Sequence, residues 1–140
     1  MTSKTDTSLI ILTYKGKVLL RLHNTDPSIL SIQSNSKHNV WSFFSVTREK
    51  NKTLKASILA KVEQETGLRL LNAEFLLDAI VDLENKHFYH ASLNDDNVNS
   101  IQRENGATLQ FFAIKELGGL NLTAPTKMFV VENNALMLSL

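Results

Sequence analysis

The chain has 140 residues, of which 43% are apolar and 21% charged, with a formal net charge of +1. That length suits one domain, residues 1–140, with a sizeable core, and the charge balance gives no global reason to expect nucleic acid or a membrane surface as partner. Cysteine is absent, which excludes disulfides and thiolate metal sites. The apolar run near the N-terminus, Leu9-Ile10-Ile11-Leu12, spans only four residues. It is too short for a signal-peptide core or a bilayer span, so the expected location is the cytoplasm.

In chain order, residues 8–14 are apolar and β-branched, Lys15-Gly16-Lys17 makes a turn, and residues 18–22 resume with alternating Leu and Arg. This pattern predicts two strands joined by a glycine turn. Residues 23–39 are polar and predict a long loop. The aromatic run 41–46 predicts a short buried strand or turn. In residues 53–66, Leu54, Ile58, Leu59 and Val62 recur at three- and four-residue spacing before Gly67. That predicts an amphipathic helix, with Thr53 as N-cap and glycine as stop signal. Residues 73–77, 79–83, 88–93 and 109–113 are apolar runs of strand length, and residues 94–107 form a polar stretch without a period. After the break at Leu117-Gly118-Gly119-Leu120, Pro125 opens a segment in which Met128, Phe129, Val131, Leu136 and Leu140 predict a C-terminal helix. Mixed strands with one central and one terminal helix imply an α/β or α+β sandwich.

The stretch WSFFSVTREKNKTLKASILAKVEQETGLRL, Trp41 to Leu70, resembles the Nudix box and its lead-in, whose pattern is G-x5-E-x7-R-E-U-x-E-E-x-G-U with U aliphatic. Anchored on Glu65-Thr66-Gly67-Leu68, the pattern needs no gap. Its first Gly falls on Val46, its first Glu on Lys52, its Arg on Ala60 and its next Glu on Lys61. The aliphatic position is Val62, and the paired glutamates fall on Gln64 and Glu65. KGKVLLRLHN resembles the strand before the box, and LQFFAIKELGGLNLT resembles the family's late strand and short helix. The resemblance implies a Nudix-type α/β/α sandwich around a mixed β-sheet. It also implies cleavage of nucleoside diphosphate-linked compounds with Mg²⁺ or Mn²⁺.

Carboxylates at positions 61, 64 and 65 of a helix would converge on one ion cluster. This sequence has Lys61, Gln64 and Glu65, so one carboxylate of three remains. Lys61 also sets a positive charge where a dication would sit, and its i, i+4 spacing to Glu65 suits an ion pair. From residue 46 to 65 there are five basic residues (Arg48, Lys50, Lys52, Lys55, Lys61) against three acidic ones (Glu49, Glu63, Glu65), a local net of +2. A basic surface of this kind, with Arg48, Lys50, Lys52 and Lys61 as its candidates, holds phosphate without a metal bridge; a solvated lysine-rich helix face is the commoner use of such a pattern.

Glu104 precedes the late strand, where the family often supplies a further carboxylate ligand or base, and is the candidate partner of Glu65. Asp95 and Asp96 lie further away. His87 and His90 are three apart, so on a strand they face opposite sides and do not converge on a metal. His23 and His38 flank the long loop. Trp41, Phe43, Phe44, Phe111 and Phe112 read as sheet packing.

Two functional expectations follow. One is a Nudix-type domain with a degenerate box and little hydrolase activity, kept as a nucleotide or phosphate-ligand module or as an interaction module, with a homo-oligomer among the open partnerships. The other is an active hydrolase in which Glu65, Glu104 and Glu49 hold Mg²⁺ or Mn²⁺.

Overall fold

The structure, a computed structural model, describes residues 6–23, 39–102 and 108–140. The unbroken apolar run at residues 9–12 becomes the middle of strand β1 (Asp6–Tyr14), which is buried on both sides. Ile10 and Leu12 enter one hydrophobic cluster while Leu9 and Ile11 enter another on the opposite face. A strand covered on both faces has no polar side to alternate with, which is why its sequence shows no period of two.

A two-residue turn at Lys15 (φ 49°) and Gly16 (φ 78°) joins β1 to β2 (Lys17–His23). Both φ values are left-handed, as a hairpin turn that matches strand twist requires. The aromatic run divides into β3 (Val40–Ser42) and β4 (Phe44–Thr47), which leave for different neighbours: β3 pairs with β2, and β4 with β1. Helix α1 (Leu54–Thr66) follows, then β5 (Glu74–Val81), β6 (Glu84–Ser92), a short helix α2 (Asp95–Asn99) and β7 (Leu109–Ala113). A 3-10 turn at Ile114–Gly119 leads to α3 (Ala124–Glu132) and α4 (Asn134–Ser139).

These strands form one mixed seven-stranded sheet in the order β3-β2-β1-β6-β5, with β4 also on β1 and β7 also on β2. Among these strand pairs β1–β6 is parallel and the others are antiparallel. Ile58 and Val62 of α1 pack on one face with Leu19, Phe44 and Tyr89. Phe129, Val130 and Met137 of α3 and α4 cover the other, where Phe129 lies 4.8 Å from Phe88 and 5.9 Å from Phe43 between ring centroids. Helix, sheet and helix make the α/β/α sandwich expected from the sequence.

The predicted helix holds in its details. Thr53 accepts a hydrogen bond from Ala56 N at 3.0 Å, and Gly67 (φ 79°) closes the helix with its N–H on Glu63 O. Elsewhere the expectation needs correction. Residues 73–77 and 79–83 are one strand, β5, ending in a turn at Asp82 and Leu83 (φ 54° and 67°). The partner strand β6 begins at Glu84, because polar Glu84, Asn85 and Lys86 are held by pairing with Val81, Ile80 and Ala79. The polar stretch contains α2, started by a reciprocal Asn94–Asn97 capping box rather than by any apolar period. The C-terminal segment is two helices, broken at Asn133.

Candidate functional site

Helix geometry decides which box positions face where. Ile58, Val62 and Glu65 follow one another by four and three residues, so Glu65 lies on the packed stripe of α1 and not on its solvent side. It is buried, at 9% exposure, whereas positions 60 and 64 (Ala60 and Gln64) are exposed and Lys61 is half-buried. Ser8 Oγ donates to Leu54 O at 2.9 Å and fixes the start of the helix against β1. Phe44 of β4 lies in the same core cluster as Ile58 and Val62.

Two cations meet the Glu65 carboxylate, one on each oxygen. Lys61 Nζ is 3.0 Å from Oε2, and Arg21 Nε is 2.5 Å from Oε1. The Arg21 contact is an ion pair out of hydrogen-bonding alignment: Nε and Oε1 are buried, and neither makes a hydrogen bond. A glutamate in the last turn of a helix faces the negative end of the helix dipole, and burial adds a desolvation penalty. Both are offset by the two positive charges. The trio carries two positive charges and one negative, so its net charge is +1.

Arg21 was not among the sequence candidates. It reaches α1 because β2 is an inner strand, with Arg21 opposite Ser42 of β3 on one side and Leu109 of β7 on the other. Leu19 belongs to the cluster under α1, and the two-residue period of a strand puts Arg21 on that same side. An arginine in step with core leucines on a strand of this kind was the available signal.

The other cations do not converge with this trio. Arg48 binds Asp6 (3.4 Å), and Lys52 binds Glu49 (3.2 Å) within the β4–α1 loop. Lys50 is exposed and makes no ion pair among the described residues. Lys55 donates to Asn72 Oδ1 at 3.0 Å. Glu104 and His38 lie outside the described residues. Asp95 is bound by Tyr14 (2.6 Å) and Lys15 (3.3 Å) at the end of the first hairpin.

His87 and His90 face opposite sides, as the strand period requires. His87 joins Asp78 (2.5 Å) and Asp6 (3.1 Å), and its hydrogen bond is the main reason that the Asp6 carboxyl titrates below its usual range. His90 contacts Thr13 Oγ1 at 2.8 Å, and burial pushes its ring below the usual histidine range, partly countered by Glu74. It borders an open cleft of about 440 Å³ with Arg69, Asn72, Asn94 and Asn97. A smaller recess of about 190 Å³ lies on the α3 side, among Thr7, Leu9, Ser42 and Lys86. Neither hollow is lined by Arg21, Lys61 or Glu65.

A hard divalent cation needs several oxygen ligands, carboxylates foremost. Among the described residues no group of three or more His, Asp or Glu side chains is placed to hold one. Glu65 is the box's remaining carboxylate, and each of its oxygens already faces a cation. The described residues therefore do not fit Mg²⁺ or Mn²⁺ at this helix.

No protein-family model matches the chain, and no curated protein matches it. Solved structures do. A MutT structure from work on Aliivibrio salmonicida and Vibrio cholerae superposes with a TM-score of 0.72 at 12% identity, over 93% of this chain and 96% of that one. A MutT/Nudix family protein from Listeria innocua gives 0.72 at 16% identity, over 97% and 96%. The Nudix domain of Shewanella oneidensis NrtR, solved with ADP-ribose, gives 0.68 at 12% identity, over 96% and 89%. The chain has the Nudix fold. At these identities the likeness carries architecture, and the chemistry has to be argued from the residues present. No helix among the described residues is long and apolar enough to cross a membrane.

Proposed function

We propose that this Nudix-fold protein binds a nucleotide or another phosphate-containing small molecule through cationic side chains, with little or no pyrophosphohydrolase activity. The observation that carries this reading is the Glu65 carboxylate held between Arg21 and Lys61. Metal-assisted hydrolysis needs a cation that neutralises phosphoryl oxygens and orients a water. Here the charge at the same helical position is already positive, so phosphate oxygens meet an arginine and a lysine directly. The ADP-ribose complex of the NrtR Nudix domain supports a nucleotide-like ligand, because it puts such a molecule on the same fold. Lys50, exposed beside the helix start, supplies further positive potential.

The purified protein is incubated with nucleoside triphosphates, dinucleoside polyphosphates and nucleotide sugars in Mg²⁺ or Mn²⁺, following phosphate and pyrophosphate release. The expected result is no turnover above the metal-only control. Turnover that disappears in Glu65→Gln would overturn the proposal in favour of a hydrolase with unusual ligands, among which Glu49 and Glu104 would be the first to test.

A further inference from the structure

The Glu65 carboxylate lies against both Arg21 and Lys61, one cation on each oxygen. It is buried, its Oε1 makes no hydrogen bond, and its contact with Arg21 Nε is charge against charge without alignment. Lys61 Nζ approaches Oε2 from the preceding turn of the same helix. A carboxylate carries one negative charge over two oxygens. A phosphomonoester or pyrophosphate carries nearly two or more, over three or more oxygens.

From this we infer that Glu65 is a built-in competitor for the anion seat formed by Arg21 and Lys61, and that it sets how much charge a ligand must carry to bind there. The inference rests on the phosphate-binding reading above. A singly charged phosphodiester gains little by approaching a cation pair already half neutralised to +1. A polyphosphate or terminal phosphomonoester retains a large attraction to the pair even with Glu65 beside it, because Coulomb energy scales with the product of the charges. The ligand class is therefore a phosphomonoester or polyphosphate, bound without metal. Removing the carboxylate charge strengthens binding, most of all for the more highly charged ligand, the reverse of what removing a metal ligand does.

The test is calorimetric titration in EDTA with three probes: inorganic pyrophosphate, orthophosphate and dimethyl phosphate. Wild type, Glu65→Gln and Gln64→Glu are compared, with Arg21→Leu as the seat-deleted control and thermal melts to confirm folding. Wild type is expected to bind pyrophosphate at least tenfold more tightly than dimethyl phosphate. Glu65→Gln is expected to tighten dimethyl phosphate by a few-fold and pyrophosphate by a larger factor, about tenfold or more, because the repulsion removed scales with the ligand's charge. Gln64 is exposed, so Gln64→Glu keeps the fold while adding an acceptor three residues from Lys61; it should weaken pyrophosphate several-fold. If wild type binds pyrophosphate and Arg21→Leu does not, but Glu65→Gln binds no more tightly, the competitor role is refuted and the phosphate-binding reading stands. Should Glu65→Gln fail to fold, Gln64→Glu decides alone, and unchanged or tighter binding refutes the role. If wild type binds none of the three probes, the phosphate-binding reading itself falls.

Discussion

Replacing Arg21 with leucine is the sharpest stability test of the trio. The substitution keeps an apolar side chain on β2 but leaves the buried Glu65 carboxylate with Lys61 alone. Removing one partner of a fully buried ion pair costs about 3–5 kcal/mol, whereas an exposed pair is worth about 0–1 kcal/mol. Arg21 is about a third exposed in its side chain, and Lys61 continues to neutralise one oxygen. The expected loss therefore falls between the two limits, at about 2 kcal/mol. Urea unfolding measures it as a fall in the midpoint at unchanged slope. Glu65→Gln in the Arg21→Leu background removes the stranded charge, so the double variant is expected to recover at least about 1 kcal/mol of that loss. A loss below about 0.5 kcal/mol for Arg21→Leu, in the range of ordinary surface changes, or no recovery in the double variant, would refute the claim that Arg21 neutralises Glu65.

Three further outcomes follow from the fold. Leu83 is 87% exposed and sits at φ 67°, a conformation that disfavours a branched side chain, so Leu83→Gly is expected to raise stability by about 0.5–1 kcal/mol in the same unfolding assay. Phe129 is fully buried against Phe43 and Phe88, and Phe129→Ala is expected to cost about 3–5 kcal/mol, seen as a large fall in Tm or as loss of the folded state. Burial lowers the folded-state pKa of His90, so between that lowered value and about 6.5 the unfolded chain binds the extra proton. Stability from this group is complete above about pH 6.5 and is lost as pH falls through the window. Wild type should lose more stability than His90→Gln between pH 7.5 and pH 5; equal losses would contradict it.

What the sequence revealed and what it concealed divide along the range of the interactions. Helix α1 was readable because its apolar spacing, its Thr53 cap and its Gly67 stop are all local. The Lys61–Glu65 pair was readable for the same reason, since four residues on a helix set the distance. Arg21 lies 44 positions before Glu65, and only the sheet register brings the two together. The start of β6 was hidden because Glu84, Asn85 and Lys86 are strand residues by virtue of their partners, against their own polar character. His87 could be ruled out as a partner of His90 from the strand period, but its two carboxylates come from β1 and β5 and needed the fold. The candidate phosphate set was read as one surface from its closeness in sequence. In the fold Arg48 and Lys52 are paired within or beside the β4–α1 loop, and Lys61 alone among the paired members faces Glu65.

The central claim is that Glu65 serves Arg21 and Lys61 and not a divalent cation. It is tested most directly by crystals of the protein grown with a nucleotide and Mn²⁺ and measured at the manganese absorption edge. The expected map has no anomalous peak within coordination distance of Glu65, with Lys61 and Arg21 in contact with its carboxylate or with the ligand's phosphate oxygens. An anomalous peak bound to Glu65, with Lys61 turned away, would contradict the account.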